Sequence, residues 1–236
     1  MCRIIGFTPL LALALFTALS ALAQPVPVEV VQAPDGAWQL LRGGEPYFIK
    51  GAGGDESKEL LAASGANTFR TWGVGPDTGD LLDEAHALGL TVVVGHWLGH
   101  PRHGFDYNDL DMVSEQFARV REDVLKYKDH PALLLWGIGN EKEGNAEGHD
   151  AAVWSHRQAV AAIIKDLDPN HPTMTVTAEI GGAKVRAVHS LCPDVDIMGI
   201  NSYGGLPSVP KRYKRLKGQK PIVINARKSV ASFKIR

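Results

Sequence analysis

The feature that most constrains this chain is a regular alternation of short apolar runs and amphipathic stretches that begins at Tyr47. Most of these runs are continuously apolar rather than alternating, which is typical of strands covered on both faces in a parallel sheet. Residues 111–128 and 150–167 instead carry apolar side chains at about 3.6-residue spacing, which predicts helices. The strand candidates are 47–52, 67–72, 90–96, 132–139, 173–179, 195–202 and 220–225.

This order of elements predicts an α/β fold, a (β/α)8 TIM barrel that is incomplete, with strands 1 to 7 present and strand 8 missing. An open doubly wound sheet is the alternative. It is disfavoured because no Gly-x-Gly-x-x-Gly motif follows the first strand, and the GAGGD segment at 51–55 lacks the required spacing.

The first 23 residues indicate a Sec-type signal peptide. Arg3 precedes an apolar run over 4–22, and an Ala-x-Ala pattern ends at Ala23. A membrane anchor is the alternative, since roughly 18 apolar residues can just span a bilayer. Pro25 and Pro27 favour cleavage after Ala23, so we expect a secreted or periplasmic protein with no membrane association afterwards.

Net charge and cysteine content limit which partners and which disulfides the chain can have. The formal net charge is −1 and basic residues concentrate only toward the C-terminus, so we expect no nucleic-acid partner. Cleavage would leave Cys192 as the single cysteine and no internal disulfide. Residues 24–44 read as an N-terminal hairpin or linker that could close the barrel floor, and residues 45–225 as the barrel domain.

Polar and aromatic side chains gather where the predicted strands end. In a TIM barrel, functional side chains project from the C-terminal ends of the strands. These ends carry Arg70, Trp72, His96, Trp97, Asn140, Glu141, Glu179, Asn201 and Tyr203. We expect them to line the functional site of the protein, and we expect no cofactor or metal there.

The strongest single signal is the segment LLLWGIGNE, which ends in Asn140 and Glu141. Glycoside cleavage needs a carboxylic acid that protonates the departing oxygen and later activates water. An amide bonded to the sugar 2-hydroxyl adds stabilisation, because that bond strengthens in the transition state. The alternative is that Asn140 caps a turn and that Glu141 is a solvated residue. The nearby Glu143 shows that acidic residues occur readily in this loop.

Residues 45–224 resemble the TIM-barrel domain of glycoside hydrolase family 2. The matching segments are PYFIKGAGG, GANTFRTWG, LLDEAHALGLTVVVGHW, YKDHPALLLWGIGNE, VDIMGINSYGG and KPIVI. The resemblance implies a retaining O-glycosidase acting on an oligo- or polysaccharide. It implies Glu141 as acid/base, Asn140 as the 2-hydroxyl partner, Arg70 as a group orienting a carboxylate, His96 as a sugar contact, and Tyr203 as a donor to the nucleophile.

The sequence departs from the family after KPIVI. The family strand continues into Thr-Glu-Phe-Gly, whose glutamate is the nucleophile, whereas this chain continues as Asn225-Ala226-Arg227-Lys228. Residues 226–236 have four basic residues and no acidic one, and they read as an aberrant tail. We therefore expect a truncated gene product that is weak or inactive. Glu179 could substitute as a second carboxylate, although a substrate hydrogen bond or a helix cap is the simpler role.

Three other functions stay open. His96, His100 and His103 could hold zinc, although the intervening glycines and Pro101 prevent the single helix that their spacing would suit. A non-catalytic carbohydrate-binding protein would use exposed rings such as Trp72 and Trp97. A β-glucan transglycosylase would share the barrel and the Asn-Glu element.

Overall fold

The computed structural model describes residues 24–142 and 148–226. The predicted signal peptide, Glu143 and the tail from Arg227 onward lie outside the described residues. Among the described helices, none has the length and apolar character needed to cross a membrane.

A small antiparallel sheet precedes the barrel. Strands β1 (Val28–Gln32) and β2 (Trp38–Arg42) pair so that Val30 faces Leu40, and β3 (Glu45–Pro46) extends the sheet beside β2. The Asp35 carboxylate accepts the Ala37 N–H at 2.9 Å, which is the local turn chemistry expected of Asp in this position. The segment 24–44 therefore contains a hairpin.

The main sheet has seven parallel strands in the described part of the chain, and they neighbour one another in sequence order. They are β4 (Gly51–Gly53), β5 (Thr68–Arg70), β6 (Thr91–His96), β7 (Leu133–Ile138), β8 (Thr173–Ala178), β9 (Ile197–Ser202) and β10 (Ile222–Ala226). The helices between them are α1 (Lys58–Ala63), α2 (Thr78–Ala87), α3 (Leu110–Tyr127), α4 (Ala151–Leu167), α5 (Lys184–Leu191) and α6 (Val209–Arg215).

Both faces of the strands are buried, as the continuous apolar runs predict. On β6, Val93 packs inside the barrel, whereas Val92 and Val94 pack against Val120 and Val124 of α3. Burial of both faces removes the polar alternation that a half-exposed strand would show.

The N-terminal hairpin covers one end of the barrel. Val28 and Leu40 belong to the same buried cluster as Leu135 and Met174 of the barrel interior. The Trp38 indole N–H donates to the Gln219 carbonyl at 3.0 Å, which fastens the hairpin to the loop before β10.

The first and last strands of the sheet, β4 and β10, approach each other at the opposite end. A methyl group built on Gly53 would lie 3.3 Å from Asn225 Nδ2, so the sheet is nearly closed although these two strands are not paired. The predicted incomplete TIM barrel is confirmed. The first barrel strand begins at Gly51 rather than at Tyr47, whose hydroxyl instead contacts Thr68 and Thr91 side chains.

Candidate functional site

Glu141 lies at the open end of the barrel, two residues beyond the glycine that follows β7. Its Oε1 accepts a hydrogen bond from Asn201 Nδ2 at 2.6 Å and another from the Tyr203 hydroxyl. Asn201 is on β9, and Tyr203 is the first residue after that strand. The structure therefore brings together three of the residues that the sequence predicted for the site.

Asn140 is held in a fixed orientation beside Glu141. Its Oδ1 accepts from Arg70 Nη1 at 3.2 Å and from Asn201 Nδ2 at 3.1 Å. Because two donors occupy the oxygen, the amide nitrogen of Asn140 is the atom left for a ligand. A nitrogen donor at this place suits a sugar hydroxyl oxygen.

Arg70 lies beneath this pair in the barrel interior and is 3% exposed. Its Nη2 is 3.4 Å from the Gly139 carbonyl oxygen. Burial lowers the pKa of Arg70 from its ordinary value to about 10, and the charge of Glu141 partly offsets that effect. The guanidinium thus supports the Asn140 amide and the Gly139 carbonyl rather than holding a carboxylate directly.

Two glutamates at strand ends have left-handed backbone conformations. The φ angle is +48° at Glu141 and +52° at Glu179. Such conformations of non-glycine residues cost on the order of 1–3 kcal/mol and cluster at functional sites. Strain at two carboxylate-bearing residues on neighbouring strands is a reason to place function here.

Glu179 is tied to protein donors on both oxygens. Oε1 accepts the Tyr203 N–H at 2.8 Å, and Oε2 is 2.8 Å from Arg212 Nη2. Partial burial raises the pKa of Glu179, but hydrogen bonds from Arg212, the Tyr203 N–H and Ser202 outweigh it and lower the pKa overall. Both carboxylate oxygens therefore face protein donors, and the arrangement positions the Tyr203 backbone.

His96 does not join the cluster, and this corrects the expectation that it faces a sugar. Its ring stacks on Trp136 with centroids 5.2 Å apart, and its Nδ1 is 3.4 Å from Asp123 Oδ2 on α3. Like Val92 and Val94, His96 lies on the face of β6 that packs against the helices. The imidazole is 3% exposed and is part of the packed layer outside the barrel.

Trp72 and Trp97 are on the rim, with exposed fractions of 38% and 54%. A methyl group on Gly53 would be 3.4 Å from Trp72 Cζ2, so this indole lies beside the end of β4. Trp97 has the Lys142 ammonium 5.4 Å from its ring centroid. Both rings are therefore placed where a ligand entering the barrel mouth could meet them.

Sequence reasoning missed three residues that shape the site: Lys142, Arg212 and Asn225. Asn225 Nδ2 is 3.4 Å from Asn201 Oδ1, so β10 contributes to the same amide cluster. Its position at a strand end is a signal that could have identified it. For Lys142 and Arg212, which lie in a loop and on a helix, the sequence carries no comparable signal.

The Lys142 side chain gives a testable pH effect. It is 3% exposed, and its ammonium has no hydrogen-bond partner among the described residues. Burial, and then the charge of Arg157, lower its pKa from 10.5 to about 7. Between those values the unfolded state binds more protons, so this residue makes stability rise with pH from about 7 toward 10.

We expect Lys142→Met to raise the free energy of unfolding at pH 7 by roughly 2 kcal/mol or more and to flatten its rise up to pH 9. Urea unfolding at the two pH values measures both effects. Lys211→Met on the surface of α6 is the matched control and should change neither. Parallel pH profiles for the parent and Lys142→Met would contradict the assignment.

The histidines of the metal alternative are separated. His100 and His103 face each other with ring centroids 5.9 Å apart, whereas His96 lies in the packed layer described above. Within residues 24–142 and 148–226, no group of three or more His, Cys, Asp or Glu side chains is placed to hold a metal ion.

Comparison with protein families places these residues in a known context. Residues 58–227 match the family model described as "Glycosyl hydrolases family 2, TIM barrel domain". Among curated proteins, the beta-glucuronidase of Chlorocebus aethiops is 27% identical over 199 residues, and the human beta-glucuronidase 26% over 185 residues. These alignments cover 76% and 70% of this chain but only 28% and 26% of the relatives.

Solved structures share the fold. The β-D-glucuronidase of Dictyoglomus thermophilum superposes with a TM-score of 0.65 at 21% identity, over 84% of this chain and 38% of that one. A β-glucuronidase from an uncultured Clostridium species gives 0.64 at 20% identity, over 85% and 38%. This chain thus spans little more than a third of the length of those enzymes.

Proposed function

The chain belongs to glycosyl hydrolase family 2, and from this membership we propose that it is built to cleave O-glycosidic bonds with Glu141 as acid/base. The observation that carries the proposal is the Glu141 carboxylate at the barrel mouth, accepting hydrogen bonds from Asn201 and Tyr203. A carboxyl group so placed can give a proton to a departing glycosidic oxygen and later take one from water.

The neighbouring groups have supporting roles in this proposal. Asn140 would donate from its amide nitrogen to the sugar 2-hydroxyl, because its oxygen is already occupied by Arg70 and Asn201. Tyr203 would hold the proton-transfer carboxylate in one orientation. A fixed orientation matters because proton transfer requires donor and acceptor within hydrogen-bond reach.

We expect this chain to turn over glycoside substrates weakly or not at all. Retaining hydrolysis needs a second carboxylate roughly 5–5.5 Å from the first. The family resemblance expects that carboxylate at position 226, where this chain has alanine. Glu179 is a poor substitute, since both its oxygens are engaged by Tyr203 and Arg212. Glu141 alone can protonate the leaving group but cannot trap the positively charged sugar centre.

Ligand binding tests the proposal without requiring turnover. Iminosugars of glucose, galactose and glucuronic acid configuration carry a protonated nitrogen that mimics the charge of the transition state. The glucuronic form is included because the relatives are named beta-glucuronidases. We expect at least one to bind the parent chain, and Glu141→Gln to weaken that binding about tenfold or more, measured by calorimetry.

Glu29→Gln is the matched control, since Glu29 is an exposed carboxylate on β1 at the other end of the barrel. It should bind the same iminosugar as the parent does. If none of the three compounds binds, or if Glu141→Gln binds as well as the parent, Glu141 is not the carboxylate of a glycosidase site.

A further inference from the structure

A cavity lies beside the barrel mouth. It has a volume of about 580 Å³ and opens between the loop after β4, the loop after β5 and helix α2. Cavities of roughly 300–1,000 Å³ are the usual size for small-molecule sites. The volume is therefore sufficient for a sugar ring, and the role proposed for Glu141 does not use it.

Trp72 connects this cavity with the proposed site. The indole forms part of the cavity wall and is 38% exposed. It also lies beside Gly53, whose added methyl group would be 3.3 Å from Asn225 Nδ2. Asn225 contacts Asn201, and Asn201 donates to Glu141. The indole is thus linked to Glu141 through the successive contacts of Gly53, Asn225 and Asn201.

Four of the thirteen lining residues are acidic and one is basic. Exposed carboxylates surround the cavity, and Lys58 is the single cation of its wall. The Lys58 ammonium is 3.0 Å from Glu84 Oε2 and 3.1 Å from the Asp55 carbonyl oxygen, so it is already occupied. The lining carboxylates are Asp55, Asp77, Asp80 and Glu84.

These carboxylates do not form a metal site, because the described residues contain no cluster of three or more ligating side chains. Separated carboxylates around an exposed aromatic ring suit a different ligand. Carboxylate oxygens accept hydrogen bonds from hydroxyl and ammonium groups, and an indole face offers an apolar surface of the kind that lines ligand pockets.

We propose that this cavity binds a second sugar ring of an oligosaccharide substrate against Trp72, and that its carboxylates favour an amino sugar or a neutral ring over a uronic acid. The inference rests on the proposed function and names the substrate class for that site. A negative wall attracts an ammonium group and repels a sugar carboxylate, and low ionic strength strengthens both effects.

Three trisaccharides of equal length test the proposal: β-linked glucosamine, β-linked glucose and a galacturonate trimer. Calorimetry at low salt measures binding to the Glu141→Gln protein, in which turnover is blocked. We expect the glucosamine trimer to bind at least about tenfold more tightly than the galacturonate trimer. Trp72→Ala should weaken its binding about tenfold, and Trp72→Phe, which keeps an aromatic face, should retain most of it.

The double change Asp77→Asn and Asp80→Asn should narrow the difference between the amino and acidic trimers, because both side chains are exposed carboxylates of the wall. Galacturonate binding equal to that of glucosamine, or full binding by Trp72→Ala, would overturn the inference. Iminosugar binding that still depends on Glu141 would then leave the proposed function standing, so the two failures are distinguishable.

Discussion

Placing a glutamate at position 226 should raise the turnover of an aryl β-glycoside on the order of 10³-fold or more. The parallel register of β10 with β9 sets Ala226 level with Ser202, one residue beyond the Asn225–Asn201 pair. Asn201 in turn donates to Glu141. The family resemblance expects the nucleophilic glutamate at this position, so a carboxylate introduced here would supply the second carboxylate that retaining hydrolysis requires.

The magnitude follows from the chemistry of covalent catalysis. Removing the nucleophile of a protease costs about 10⁶-fold in turnover, so recovering part of that loss is a modest expectation. A carboxylate roughly 5–5.5 Å from Glu141 could form a glycosyl-enzyme, which Glu141 then helps water to hydrolyse. Release of a nitrophenol from a panel of glycosides, including the glucuronide, measures the gain.

Ala226→Gln is the matched control, since it adds the same bulk without the charge. It should stay at the rate of the parent, and adding Glu141→Gln to Ala226→Glu should remove the gained activity. Equal rates for the glutamate and glutamine variants, with unchanged melting temperatures, would show that position 226 does not hold the second carboxylate.

The second large effect concerns stability: Asp168→Ala should lower the free energy of unfolding by about 3–5 kcal/mol. The Asp168 side chain has no solvent exposure. Its Oδ2 accepts from Trp136 Nε1 at 2.7 Å and is 2.8 Å from His171 Nδ1, while Oδ1 accepts the Asn170 N–H at 3.0 Å. Removing the carboxylate leaves the buried ring nitrogens of Trp136 and His171, and the part-buried Asn170 N–H, without this acceptor.

Urea unfolding compares this variant with Asp150→Ala at the other end of helix α4. Asp150 is an exposed cap that accepts the Ala152 N–H at 3.0 Å, so its loss should cost about 1 kcal/mol. Asp168→Asn keeps one acceptor oxygen and should fall between the two. A loss for Asp168→Ala no larger than that for Asp150→Ala would mean that this network adds little to stability.

The sequence by itself determined the order of the barrel elements and the position of the carboxylate proposed as acid/base. Seven short runs, most of them continuously apolar, predicted seven strands, because burial on both faces leaves a local record in the residues of the strand. The Asn140–Glu141 pair was identified for a similar reason, since a polar pair that ends an apolar run marks the barrel mouth.

Only the tertiary structure decided which way each side chain faces and what it contacts. Both faces of a strand such as β6 are apolar, so Val92 and Val93 look alike in sequence. The sequence therefore does not tell whether the face that carries His96 lies inside or outside the barrel. The contacts of Arg212 with Glu179 and of Asn225 with Asn201 join residues 33 and 24 positions apart. Such distant contacts depend on how the strands curl into a barrel, and local periodicity carries no record of that closure.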